Sequence, residues 1–124
     1  MKYSSLHFWI LIFYVLVIFG LTSIPGDSLQ KFTIFATNDK IIHFLEYFIL
    51  GFLFFNALKT ENQNRYGILI TILFLIIVPI LDENLQRLIP GRFPDYKDSI
   101  IDFLGGICGT FTHTLRKYVI KSDN

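Results

Sequence analysis

Long apolar runs separated by short polar stretches set the pattern of this chain. Residues 6–24 are apolar apart from His7, Thr22 and Ser23, and at about 1.5 Å per residue such a run crosses a bilayer as one helix. It stops at Ile24-Pro25-Gly26-Asp27. The run is long for the apolar part of a signal peptide and no A-x-A-like site precedes Pro25, so it reads as an uncleaved first span. Residues 25–38 follow as a polar loop, with a short interfacial helix expected around 29–35.

The second span, residues 39–58, is not uniformly apolar. Asp39, His43, Glu46 and Tyr47 share one helical face, Lys40 lies close to it, and Ile, Phe and Leu fill the opposite face. The pattern predicts a lipid-facing side and a polar stripe turned inward. Residues 59–66 form a polar turn, and the apolar run 67–81 reaches only ~22 Å of a ~30 Å hydrocarbon core. The third span therefore continues through Asp82, Glu83 and Gln86 to about residue 88, placing these polar groups in the outer part of the bilayer. Pro79 lies within it, where a proline frees a backbone carbonyl, and Pro90-Gly91 makes the turn. The fourth span covers residues 98–118, with Asp98, Asp102, Gly105 and Gly109 along one face. Gly105-x-x-x-Gly109 is a strip that admits another helix closely. The expected fold is all-α: one domain over residues 1–124, a polytopic transmembrane bundle of four helices with spans at about 6–24, 39–58, 67–88 and 98–118.

Composition agrees: 52% of residues are apolar, which is high for a soluble domain of this size. A net charge of +1 gives no general attraction to nucleic acid. The lone Cys108 has no cysteine to pair with and reads as a small packing residue. If the N-terminus is cytoplasmic, Lys2, Lys59, Arg65, Arg116, Lys117 and Lys121 lie inside and Lys31, Lys40, Arg87, Arg92 and Lys97 outside. The positive-inside rule then favours cytoplasmic termini by a margin of one residue. Most carboxylates fall at the outer end, so the polar clusters of spans two, three and four converge there.

Charge beside lipid is costly, which makes these clusters functional candidates. His43 with Asp39, Glu46 and Tyr47 reads as an acid–base or metal-binding face, or as a hydrogen-bonded network joining helices. Asp82, Glu83 and Gln86, with Asp98 and Asp102, could hold a hard cation such as Mg2+ or Ca2+; the alternative is ion pairing to Arg92, Lys40 or Arg87. Arg92 follows the Pro-Gly turn and could clamp a lipid phosphate or pyrophosphate, or bridge to Asp95 or Asp98. Asp95 is placed as the N-cap of span four, whereas capping cannot explain Asp102 one turn deeper. Ser99 has no G-x-S-x-G elbow, and no phosphate-binding glycine loop or H-E-x-x-H zinc motif is present.

Asp39-Lys40-x-x-His43-Phe44-x-x-Tyr47-x-x-Leu50-Gly51 resembles the first motif of the VanZ-like membrane proteins. Asp82-Glu83-x-x-Gln86-x-x-x-Pro90-Gly91-Arg92, followed by Asp98-x-x-x-Asp102-x-x-Gly105-x-x-x-Gly109, resembles the second. The family usually has Asn where this chain has Asp102, which adds a potential charge. The resemblance implies a small multi-helix bacterial plasma-membrane protein of the cell envelope, and its namesake is linked to resistance against the glycopeptide teicoplanin.

The leading expectation is a protein that binds an anionic lipid-linked or headgroup ligand, such as a cell-wall precursor, at the outer face. The ligand-binding candidates are Asp39, Lys40, His43, Tyr47, Asp82, Glu83, Gln86, Arg92, Asp98 and Asp102. An enzyme modifying a lipid phosphate is the alternative, with His43, Glu46 and Asp102 as catalytic candidates. A third reading is a structural subunit in which a partner helix docks on Gly105 and Gly109. No metal is assigned.

Overall fold

The computed structural model describes residues 5–31, 38–58 and 63–122, with Gln30 by its backbone alone. These residues fold into helices α1 (Ser5–Thr22), α2 (Gly26–Gln30), α3 (Asp39–Ala57), α4 (Arg65–Gln86) and α5 (Tyr96–Ser122). Three of them, α1, α3 and α4, are long and apolar enough to cross a membrane. Helix α5 is longer, at 27 residues, but it carries Asp98 and Asp102 near its start and Arg116, Lys117 and Lys121 near its end.

A short helix after the first span, Gly26–Gln30, overlaps the start of the one expected at 29–35. Residues 32–37 of that expectation, and residues 59–62 of the next turn, lie outside the described residues. Helix α4 begins at Arg65 because the Asn64 side chain caps it, accepting from Tyr66 N (3.0 Å) and Gly67 N (3.2 Å). It continues to Gln86, so Asp82 and Glu83 do belong to the third helix. Pro79 is buried inside it and leaves the carbonyl one turn earlier without an amide donor.

The long helices alternate in direction. Helix α3 packs on α1, α4 and α5, while α4 also touches α1 and α5. Leu11, Ile18, Tyr47, Leu50, Phe54, Leu75 and Val78 form the buried seam between them. The outward faces stay apolar and exposed, as with Phe13, Leu16, Ile49, Leu73, Ile77, Leu104 and Phe111. That inversion, apolar side chains facing both seam and surroundings, suits a bundle surrounded by lipid. Cys108 is exposed on α5 rather than packed in the seam.

Glycine sets the closest approach. A Cβ on Gly105 would collide with the Phe44 carbonyl, one on Gly109 with the Phe48 carbonyl, and one on Gly51 with the Gly106 carbonyl. The helix lying on the Gly105/Gly109 strip is therefore α3 of the same chain. Thr110 Oγ1 reinforces the contact by donating to Gly51 O at 3.3 Å. This close register fixes which α3 side chains meet which α5 side chains, and so builds the polar end.

Candidate functional site

The C-terminal ends of α1 and α4 and the N-terminal ends of α3 and α5 meet at one end of the bundle. His43, buried one turn into α3, is the hub. Its Nδ1 lies 2.9 Å from Asp102 Oδ1. Its Nε2 lies 3.8 Å from Asp39 Oδ1 and 3.8 Å from Asp98 Oδ2, beyond hydrogen-bond range of both. Helical spacing produces this arrangement: Asp39 is one turn before His43, and Asp98 one turn before Asp102, so each pair stacks along its helix. Lys40 Nζ pairs with Asp98 Oδ1 and reaches Asp95 Oδ2 at 3.4 Å.

A second cluster adjoins the first. Thr22, in the last turn of α1, donates its hydroxyl hydrogen to Asp82 Oδ1. The Tyr47 hydroxyl is buried near Asp82 and makes no hydrogen bond of ordinary geometry. Glu83 is buried, with Oε1 unpartnered, near Asp98 and His43. A small cavity of about 30 Å³, open on one side, joins the clusters; Asp39, His43, Glu46, Asp82, Gln86 and Arg92 supply its polar lining. That volume takes about one or two waters or a single ion.

The Pro90-Gly91 turn places Arg92 at this cavity. Gly91 has φ 74°, a left-handed conformation that a side chain disfavours. The turn closes through Arg92 N to Ile89 O (3.2 Å) and is braced by Gly26 N of α2 donating to Pro90 O (3.0 Å). A Cβ on Gly26 would strike the Gly91 carbonyl, so α2 seats directly on the turn. Arg92 is half-buried, its Nη2 donates weakly to Leu21 O at 3.5 Å, and its Nε is buried without a partner.

Most of the sequence candidates thus gather at one end. Asp39, Lys40, His43, Asp98 and Asp102 form one continuous network; Asp82, Gln86, Arg92 and Glu46 join it around the cavity; Tyr47 and Glu83 are buried alongside. Lys40 takes up Asp98, one of the ion pairs expected as the alternative to a cation site. The bridge from Arg92 to Asp95 or Asp98 does not form: among the described residues Arg92 pairs with no carboxylate, because the turn aims it toward α1 and the cavity. Asp95 caps α5 as expected, accepting from Lys97 N at 3.0 Å. That bond, with Lys40 next, holds the Asp95 carboxyl below the usual carboxylate range.

Two features were not anticipated. Thr22 is one; a hydroxyl in the final turn of an otherwise apolar helix was the available signal. The other lies near the opposite end of the bundle, where His113 Nε2 meets Asn56 Oδ1 at 3.0 Å between the edges of Phe52 and Phe55. Both residues lie within the expected spans 39–58 and 98–118, and their partnership depends on the α3–α5 register.

The electrostatics are lopsided. The carboxylates of Asp39, Glu46, Asp82, Glu83, Asp98 and Asp102 outnumber the fixed cations Lys40 and Arg92, and four of them are buried. Buried carboxylates need protons, hydrogen-bond donors or a cation. Such a site can hold a proton, orient an imidazole, bind a cation, or offer guanidinium to an anion arriving at the cavity mouth. Comparison with curated proteins and with solved structures gave no significant match. A family model, VanZ/LLP1, matches residues 4–117, which includes every helix that builds the polar end. The chain is a membrane protein of the VanZ/LLP1 family.

Proposed function

We propose that the protein spans the plasma membrane of a bacterium four times, with both termini cytoplasmic, and binds an anionic lipid-linked or headgroup ligand at the outer face. Helix α5 is the fourth span in this reading: its 27 residues reach about 40 Å, and its glycine strip lies along α3. The observation that carries the reading is Arg92. A rigid turn presents its guanidinium at the cavity, half-buried and without a carboxylate partner among the described residues, although carboxylates are plentiful nearby. A forked cation held this way suits a phosphate or pyrophosphate. The cavity is too small for a headgroup, so the ligand sits across its mouth, with its lipid tail along the exposed apolar faces. Lys40 flanks the same end.

The namesake's link to teicoplanin makes lipid-linked cell-wall precursors the first ligands to try, and a role in glycopeptide resistance belongs to the same proposal. Unchanged teicoplanin sensitivity on overexpression would remove that part. The binding test is thermal stability of detergent-purified protein against phospholipids and undecaprenyl phosphates, with Arg92→Ala run beside wild type. Selective stabilisation of the wild type by a lipid phosphate is expected. If no lipid shifts either protein and Arg92→Ala is merely less stable, the polar end is structural.

The His43–Asp102 pair favours a second reading, an enzyme modifying a lipid phosphate with Glu46 and His43 in proton transfer. Turnover lost in His43→Gln with folding retained would put this reading first.

A further inference from the structure

The second nitrogen of His43 has no role in the lipid-phosphate reading. Nδ1 lies 2.9 Å from Asp102 Oδ1, and with Asp102 ionised the carboxylate accepts and Nδ1 carries the proton. Nε2 is then free of a proton and lies 3.8 Å from both Asp39 Oδ1 and Asp98 Oδ2. Asp98 is oriented in the same way: Lys40 holds its Oδ1, leaving Oδ2 turned toward Nε2. We propose that His43 Nε2, Asp39 and Asp98 bind one divalent first-row transition ion, Mn2+ or Zn2+, with Asp102 and Lys40 as the residues that position two of the ligands.

The geometry suits a metal. One donor atom from each of the three residues lies within 4.8 Å of the others. Bonds of about 2.1 Å put neighbouring ligands roughly 3.0–3.5 Å apart, so the donors need to close by a few tenths of an ångström to somewhat over one. Asp39 can supply that movement, since its side chain is 54% exposed at the start of α3. A histidine whose far nitrogen is fixed by a carboxylate is the usual arrangement of a metal-bound imidazole. An independent observation points to the same place. Glu83 is only 7% exposed, its Oε1 has no hydrogen-bond partner, and Asp98 and His43 are its charged neighbours. A buried, unpartnered carboxylate near Asp98 calls for positive charge at this end of the bundle, which a bound ion would supply. The donor set also selects the metal. Imidazole disfavours Mg2+ and Ca2+, which prefer oxygen throughout, and mixed imidazole and carboxylate donors suit Mn2+ and Zn2+.

The inference does not depend on the lipid-phosphate reading, and its test uses metal alone. Full-length protein in detergent is stripped with chelator and titrated with Mn2+, the free ion being counted by electron paramagnetic resonance, and with Zn2+, followed by desalting and elemental analysis. About one equivalent per chain is expected. Asp39→Asn should weaken binding at least about tenfold while leaving the melting temperature of the stripped protein near that of wild type. Bound Mn2+ should show nitrogen coupling from one imidazole, absent in His43→Gln. If that variant does not fold, Asp39→Asn decides alone. Wild-type retention within twofold of Asp39→Asn would overturn the proposal and leave His43 as an imidazolium within an ion network. Stoichiometric Mn2+ without nitrogen coupling would overturn it equally, placing the ion on other carboxylates.

Discussion

Nδ1 of His43 sits 2.9 Å from Oδ1 of Asp102, joining α3 to α5 across 59 residues of chain. What this bond needs from residue 102 is an acceptor, which an amide oxygen also provides. Asp102→Asn should therefore keep a melting temperature close to wild type. Asp102→Leu strands a buried N–H and should cost about 1–3 kcal/mol. Detergent unfolding curves of the three proteins check this; an Asn variant as damaged as the Leu variant would show that the charge matters instead.

Thr22 is the hydroxyl donor to buried Asp82. Thr22→Val should destabilise by about 1–3 kcal/mol, because the carboxylate loses its donor. Adding Asp82→Leu should recover part of the loss, since neither polar partner then remains. A double-mutant cycle measures the coupling, and strictly additive effects would count against the bond.

Glycine at the α3–α5 crossing is a packing requirement. Gly51→Ala and Gly109→Ala each drive a methyl group into a facing carbonyl and should cost about 1–3 kcal/mol or more. Gly20→Ala meets nothing within 4 Å and should be neutral or slightly stabilising, as alanine favours helix. Melting temperatures of the three variants in one detergent make the comparison.

The Asp95 cap has a pH signature. Lys97 N and then Lys40 depress its folded-state carboxyl below the ordinary range. Its contribution is therefore complete above the unfolded-state value and is lost as pH falls through the depressed folded value. Asp95→Asn should retain most of the cap and remove that acid-range dependence, whereas Asp95→Ala should lose both. Stability of the three proteins between neutral and strongly acid pH gives the test.

The long helices were legible because lipid forces the chain into apolar runs of spanning length, and Pro25 and Pro90-Gly91 mark their ends. The face shared by His43 and Tyr47 was legible from helical spacing alone. What remained hidden depended on register between helices. Helical spacing places Asp98 and Asp102 on one face, but only the glycine-limited crossing shows that Asp102 meets Nδ1 and Asp98 faces Nε2. The bridge from Arg92 to Asp95 or Asp98, the alternative to a phosphate clamp, is absent for a related reason. Proximity in sequence suggested it, whereas the positive φ of Gly91 and the seat of α2 turn Arg92 elsewhere.

Native mass spectrometry of the purified protein, comparing undecaprenyl phosphate with neutral undecaprenol, tests most directly whether the polar end grips a lipid phosphate through Arg92. Wild type should retain about one lipid phosphate per chain and little of the alcohol. Arg92→Ala should lose the phosphate preference, with a loss of about 1.5–3 kcal/mol for a charged hydrogen bond, or roughly tenfold or more in affinity. Equal retention of phosphate and alcohol by both proteins would contradict phosphate recognition at this site.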